Sequence, residues 1–398
     1  MIDLQTITPD TLNKPLRVAL AHDWLVGYRG GEMVLEAIAQ LLIDAGHSIS
    51  RIYTMFDCDQ SLSPTLDSIE RTTSSLNRYP ASLRRWLLMR YPAGVRELSQ
   101  RLKHDHTQEP IDLLISTHSA AIKAITPPTG VPHICYCHSP ARYLWSQTDQ
   151  YASRDLKGRF RALGLRCFAP SLRRWDRSST DSVTDFIANS SHTAREIERC
   201  YQRESVVVHP PVRTEFFTPD DSVVRSNQLL LVSALEPYKR IDLAIDAACL
   251  ANRPLTIVGS GSHEQPLRAH AQRAQQRYQR NNLIRFAGKV SDEALREHYR
   301  IARAFLFPQI EDFGITAVES QSCACPVIAR RAGGALDSII ENQTGTFFDD
   351  PTPEAIVDAI ERCPEPNECA DACRFNAQRF SHRAFILNMN QIIADSVR

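Results

Sequence analysis

No apolar run in these 398 residues approaches the ~18 needed to cross a membrane. The first fifteen residues carry Asp3 and Asp10 and lack the apolar core of a secretory leader, so a cytoplasmic setting is expected. Net charge is missing too. Forty-six basic side chains balance 46 acidic ones, which gives no global reason to expect a nucleic acid as partner. Eleven cysteines are few for a disulfide scaffold of this length, and the odd count suits free thiols in a reducing compartment. Lysine is scarcer still, six against forty arginines, so a lysine inside a motif stands out. What remains is an ordinary globular composition, 43% hydrophobic and 23% charged, which excludes disordered, collagen-like and coiled-coil chains. The length favours two domains.

The grammar of the chain is strand, turn, helix, repeated. Arg17 to Leu25 reads as a strand, followed by the loop Val26–Gly31 and a helix from Glu32 to Ala45 with one apolar face. Short apolar strands follow at Ile111–Ser116, His133–Cys137, Phe186–Asn189 and Ser205–Val208, with a helix at Thr193–Tyr201. Pro210–Pro211 interrupts the series, and the pattern restarts. Strands are expected at Leu229–Ser233, Leu255–Val258, Leu283–Phe286, Ala304–Phe307 and Pro326–Ala329, with helices near Asp242–Leu250, Leu267–Arg280, Asp292–Ile301 and Thr316–Ser322. Continuous apolar strands alternating with helices predict parallel sheets covered on both faces. The expected architecture is α/β: two Rossmann-like domains, residues 1–212 and 213–383, facing each other across a deep cleft. A last amphipathic helix, 384–398, is expected to pack back on the first domain.

Several clusters could carry chemistry. Gly30 and Gly31 lie between the first strand and first helix, where a helix N-terminus can meet an anion, or where a turn simply needs a positive φ. The segment Glu311-Asp312-Phe313-Gly314-Ile315-Thr316-Ala317-Val318-Glu319 runs from a strand into a helix. Its two glutamates suit sugar or ribose hydroxyls, and the apolar neighbours of Glu319 argue against a merely solvated face. Lys239 and Arg240 are adjacent cations after the second domain's first strand, a natural clamp for a diphosphate or else a basic surface turn. His118 and His138 end strands; a lone histidine is more often structural than catalytic.

Other signals fail. Gly259-Ser260-Gly261 lacks the third glycine of a dinucleotide fingerprint. Asp57-Cys58-Asp59 matches a two-aspartate metal motif too short to mean much, and His133, Cys135, Cys137 and His138 match no standard zinc spacing. No metal is expected. From Arg71 to Arg177 the chain holds eighteen Lys/Arg against seven Asp/Glu. Within that stretch Tyr79–Leu88, with Arg84, Arg85 and Trp86, and Phe160–Trp175 interleave arginine with apolar residues. Such segments read as surface helices for an anionic membrane or an acidic acceptor, or as arginine-rich solvated surface.

Four segments in order, YCHSPARYLW (Tyr136–Trp145), SALEPYKRID (Ser233–Asp242), FPQIEDFGITAVES (Phe307–Ser320) and PVIARRAGGALDSI (Pro326–Ile339), resemble the retaining glycosyltransferases of the GT-B fold, family 4. Within that family the resemblance is to bacterial GDP-mannose-dependent mannosyltransferases of surface polysaccharide synthesis, and it spans Arg17 to Asp350. It implies that Glu311 holds donor-sugar hydroxyls and that the amides of Phe313, Gly314 and Ile315 meet sugar and diphosphate. It also implies that Glu319 binds the ribose, that Lys239 neutralises the departing diphosphate, and that Gly30 and Gly31 lie near the same phosphates. His118 matches a histidine lining the donor-sugar pocket, while His138 and Arg142, with Arg84, Arg85 and Trp86, fall on the acceptor and membrane side. No cofactor is implied beyond the nucleotide sugar as substrate; the basic, aromatic segments point to a glycan or lipid-linked sugar as acceptor, at the inner face of the cell membrane. The family usually has an arginine about five residues before the lysine where this chain has Ala234, and Arg240 is the expected substitute. Ala324, where the family often has glycine, reads as inconsequential.

The implied reaction moves a hexose from a nucleoside diphosphate to a hydroxyl with retention, by front-face attack with the leaving phosphate as base. A UDP-sugar donor, a sugar-nucleotide epimerase on the same fold, and a non-catalytic nucleotide-sugar-binding protein remain the alternatives.

Overall fold

The structure, a computed structural model, describes residues 14–146 and 168–398. The chain divides into two compact units, Met1–His209 with Phe385–Arg398, and Pro210–Ala384.

The first unit is built on seven parallel strands: β1 (Arg17–Leu25), β2 (Ser48–Asp57), β3 (Arg71–Thr73), β4 (Leu113–His118), β5 (His133–Cys137), β6 (Asp185–Ala188) and β7 (Val206–Val207). Their order is β3-β2-β1-β4-β5-β6-β7. Alternate residues of β1 serve opposite cores, as strand geometry requires. Val18 and Leu20 pack with Val34, Ile38 and Leu42 of the helix Gly30–Asp44, and with Phe385, Met389 and Ile393 of the last helix, His382–Ser396. Ala19 and Ala21 face Val95, Leu98 and Leu102 of the helix Tyr91–Gln108.

The second unit repeats the plan with six parallel strands: β8 (Leu229–Val232), β9 (Leu255–Val258), β10 (Ile284–Gly288), β11 (Ala304–Phe307), β12 (Val327–Arg330) and β13 (Gly345–Phe348), in the order β10-β9-β8-β11-β12-β13. Leu229 and Leu231 join the helices Ile241–Leu250 and Pro353–Arg362 on one side. Leu230 lies in an aromatic core with Phe217, Tyr299, Phe305 and Phe307 on the other.

Both sheets reverse their strand order once next to their first strand, between β1 and β4 and between β8 and β11. In open α/β sheets the carboxyl ends at such a reversal are where ligands bind.

The central strands match the apolar runs in the sequence closely; the structure adds β2, β3 and β13. β2 is interrupted by Ser48, Ser50 and Arg51, β3 is three residues long, and β13 opens on a glycine. β3 and β13 are edge strands, paired on one side only, so they need less apolar sequence. The arginine-rich segments also differ from expectation. Residues 81–86 form a 3-10 turn after Pro80 rather than an amphipathic α-helix. Residues 160–167 lie outside the described residues, while 168–178 are helical and bury Ala169 and Leu172.

Candidate functional site

In the second unit the loops leaving β8 and β11 converge. Lys239, at the end of the turn Pro237–Lys239, forms an ion pair with Glu311, their side chains 13% and 16% exposed. The β8 loop is fixed from behind. Glu236 accepts the Ser262 amide (3.1 Å) and hydroxyl (2.6 Å), and a Cβ on Gly259 or Gly261 would overlap the carbonyl oxygens of Ser233 or Leu235. The incomplete glycine fingerprint is therefore a close crossing of two loops. Arg240 takes a left-handed backbone (φ 52°) before the helix Ile241–Leu250, and its guanidinium turns to Asp242 at 3.3 Å. Ala234 is exposed.

The β11 loop is held by glycines that the sequence reading left without a role. The amide of Gly334 donates to the Glu311 carbonyl (2.8 Å), and a Cβ on Gly333 or Gly334 would overlap Glu311 or Phe313 backbone. Phe313 is buried against Phe380, ring centroids 5.5 Å apart. Gly314 has φ 97°, and a Cβ there would press on the Phe307 ring at 2.7 Å. Ile315 then opens the helix Ile315–Ser322, whose N-terminus carries a partial positive charge.

Glu319 lies one turn further in, buried. Burial pushes its carboxyl up to about 7; the charge of Arg213 and the Tyr299 hydroxyl, which donates to it at 3.1 Å, oppose that shift.

In the first unit the carboxyl ends of β1, β4 and β5 bring together Asp23, His22, His118 and His138. The Asp23 carboxylate accepts four successive backbone amides, Ser119 (2.6 Å), Ala120, Ala121 and Ile122 (each 2.8 Å). Burial opposes ionisation of this carboxyl, yet the nearby His118 ring, with the amides, holds it well below the usual carboxylate range. His118 departs from expectation. Its ring is wholly buried, Nδ1 3.6 Å from Asp23 and Nε2 3.3 Å from the Tyr201 hydroxyl, so the side chain faces protein on both nitrogens rather than lining an open pocket.

Gly30 and Gly31 begin the helix Gly30–Asp44 with no positive φ, so the turn does not need them for backbone freedom. A Cβ on Gly31 would touch His22 at 3.6 Å and His138 Nε2 at 3.7 Å. Burial pushes His138 down to about 3, keeping it neutral. Glu32, read as a helix-start residue, is buried, 3.9 Å from His22, and also accepts the Arg29 amide.

Arg142 opens the one-turn helix Arg142–Trp145. The guanidinium of Arg84 lies 4.8 Å over the Phe56 ring, Arg85 sits in the same 3-10 turn, and Trp86 is 52% exposed beside exposed Leu83 and Met89. Among the described residues no group of three or more His, Cys, Asp or Glu could hold a metal ion.

A family profile described as Glycosyltransferase Family 4 matches residues 28–216, and one described as Glycosyl transferases group 1 matches residues 212–380. The chain is 32% identical over 213 residues to the D-inositol 3-phosphate glycosyltransferase of Acidothermus cellulolyticus, covering 47% of each. It is 29% identical over 174 residues to the GDP-mannose-dependent alpha-(1-6)-phosphatidylinositol monomannoside mannosyltransferase of Mycolicibacterium smegmatis (38% of this chain, 44% of that one). With the O-antigen chain mannosyltransferase C of Escherichia coli it shares 29% over 160 residues (39% and 42%). The chain thus spans about half the length of the curated relatives it matches, or slightly less. Two solved structures share the fold: sucrose-phosphate synthase from Thermosynechococcus elongatus (TM-score 0.71, 17% identity, 96% and 98% covered) and Anabaena HepE in complex with UDP (0.70, 16%, 96% and 100%).

Proposed function

We propose that the chain is a GT-B glycosyltransferase, residues 28–216 matching family 4 and residues 212–380 matching group 1, and that it transfers mannose from GDP-mannose, with retention, to a glycan or lipid-linked acceptor in surface polysaccharide synthesis. The Lys239–Glu311 pair at the β8/β11 reversal carries this reading. It sets a cation and a carboxylate side by side, as a sugar nucleotide sets its diphosphate beside its sugar hydroxyls. Lys239 stabilises the charge that develops on the departing diphosphate, with the N-terminus of the helix Ile315–Ser322 and the amides of Phe313, Gly314 and Ile315. Glu311 accepts from sugar hydroxyls, and Glu319 from the ribose. Arg240 adds charge to the diphosphate only on leaving Asp242. The leaving phosphate serves as base for front-face attack by the acceptor, and no cofactor beyond the donor is assigned.

The first unit takes the acceptor, with His138 and Arg142 at its carboxyl edge, and its Gly30 and Gly31 are assigned to the donor phosphates. His118 contributes by holding that edge rather than by touching sugar through its ring. Among the described residues no helix is long and apolar enough to cross a membrane. Exposed Leu83, Trp86 and Met89 beside Arg84 and Arg90 support peripheral contact with an anionic, cytoplasmic membrane face.

The mannose reading draws on the two mannosyltransferase relatives; the UDP complex of the Anabaena structure favours a UDP-sugar as the second reading. Thermal unfolding with GDP-mannose, UDP-glucose, UDP-N-acetylglucosamine, ADP-glucose and NAD separates them. A ligand at a hundred times its Kd adds about 2.7 kcal/mol. A shift with GDP-mannose alone is expected. A shift only with a UDP-sugar replaces the donor, and no shift with any of them removes the function.

A further inference from the structure

The group that organises the first unit's strand reversal is Asp23, near the end of β1. Four consecutive amides of the loop after β4 wrap its carboxylate, and the His118 ring approaches the same carboxylate through Nδ1 at 3.6 Å. Both oxygens of this carboxylate accept amide N–H groups and offer the ring no donor, so a proton on His118 belongs on Nδ1. On the other side of the ring Tyr201, from the helix Ser191–Tyr201, meets Nε2 at 3.3 Å. The amide of Ala141 donates to the Tyr201 oxygen, which leaves the O–H to point at Nε2. The His118 carbonyl in turn accepts the His138 amide at 2.8 Å, which ties the arrangement to β5.

We propose that Asp23 is a positioning residue for the transfer reaction: its carboxylate fixes the Ser119–Ile122 loop and, with Tyr201, locks His118 as the Nδ1–H tautomer. This rests on the glycosyltransferase reading for its kinetic consequence and on the geometry alone for the tautomer. Three strands meet at this edge, and none of the three side chains is exposed. Their effect on an acceptor is transmitted through the loop and strand ends they hold. A one-ångström displacement of such an edge is enough to lower turnover with donor affinity nearly unchanged, because Lys239, Glu311 and Glu319 lie in the other unit.

Asp23→Asn keeps the volume but turns an amide NH2 toward two N–H donors, so the loop must reorganise. Tyr201→Phe removes only the hydroxyl. Selective histidine 15N labelling of the full chain, with His118 assigned by its loss in His118→Asn, reads the tautomer without any substrate. The wild type is expected to show protonated Nδ1 and unprotonated Nε2, and both variants to lose that signature. In steady-state kinetics Asp23→Asn is expected to lower kcat about 30- to 100-fold with donor KM within about threefold, and Tyr201→Phe to lower kcat several-fold. Retention of the donor-induced thermal shift marks the variants as folded. A wild-type ring protonated at Nε2, or Asp23→Asn with wild-type kcat and an intact thermal shift, overturns the proposal. If the wild type turns over no sugar nucleotide, the functional reading falls and the tautomer still decides the assignment of Asp23.

Discussion

Lys239 is paired with Glu311 across 72 residues of sequence, and the pair ties the loop after β8 to the loop after β11. Both side chains are mostly covered, so neither charge is a solvated surface charge that salt would screen away. The backbone beneath them is fixed independently, by Glu236 and Ser262 on one loop and by Gly334 on the other. The two charges are thus presented on loops that do not depend on the pair itself for their shape.

That independence depends on the glycines. Gly334→Ala places a methyl group against the Phe313 backbone, in a spot with no flexible side chain to yield. Overpacking of this kind costs about 1–3 kcal/mol, and the displaced Glu311 loop is expected to lose most transfer activity. Gly130→Ala is the control: its φ is 83° but nothing lies within 4 Å of the added Cβ. It is expected to cost about 1 kcal/mol of backbone strain with activity unchanged. Chemical denaturation and initial rates on both variants check the pair of outcomes; equal activity in the two removes the packing argument.

The buried carboxyl of Glu319 makes the second unit sensitive to pH. Its folded value of about 7 stands above the ordinary 4.5, so the folded chain binds the proton more tightly than the unfolded one. The stability it contributes is full below pH 4.5 and is lost as the pH rises through 7. The amount at stake is up to about 3 kcal/mol. Glu319→Gln is expected to flatten this dependence and so to gain on the wild type between pH 4 and 8 in unfolding experiments. Parallel stability curves would mean that the carboxylate is compensated by Arg213. The same variant is expected to weaken nucleotide binding by about 1.5–3 kcal/mol, the worth of a hydrogen bond to a charged group.

Ala324 is not the inconsequential replacement that its small size suggests. Its φ is 58°, in the left-handed region, at the turn between the helix Ile315–Ser322 and β12. An L-residue there costs about 1–2 kcal/mol, and glycine returns part of that gain as chain entropy. Ala324→Gly is expected to raise stability by about 0.5–1 kcal/mol without changing turnover. A lower melting temperature would show that the buried methyl group contributes more by packing than it loses in strain.

Most of the fold could be read from the sequence because the central strands are apolar on both faces, and that signal is local. RVALAHDWL for β1 and LTIV for β9 carry their own boundaries. The candidate site is legible as a motif where its residues are themselves neighbours in sequence, as in Glu311 to Glu319. It was opaque where partners are distant. Asp23 meets amides 96 to 99 residues away, and no spacing rule links Tyr201 to His118, 83 residues before it. The one available signal was a carboxylate inside an otherwise apolar strand. For His118 the sequence offers both a structural role and a place in a donor pocket, and the burial of its ring depends on Asp23 and Tyr201, both distant in sequence.

The exposed apolar cluster Leu83, Trp86 and Met89 predicts sedimentation with vesicles containing anionic lipid and little with neutral ones. Trp86→Ala combined with Leu83→Ala is expected to reduce that binding about tenfold while leaving the melting temperature nearly unchanged, since the side chains bury little on folding. Binding that ignores lipid charge, or that survives the double substitution, moves the contact elsewhere.

The central claim, that Lys239 and Glu311 act on the donor, is tested most directly by following nucleoside diphosphate release from GDP-mannose and the UDP-sugars with acceptor-containing membranes. The wild type is expected to release nucleotide from GDP-mannose, with at least about a 100-fold loss in both Lys239→Met and Glu311→Gln. The nucleotide is still expected to shift the melting temperature of Glu311→Gln. Release at the wild-type rate by either variant would remove that side chain from donor chemistry.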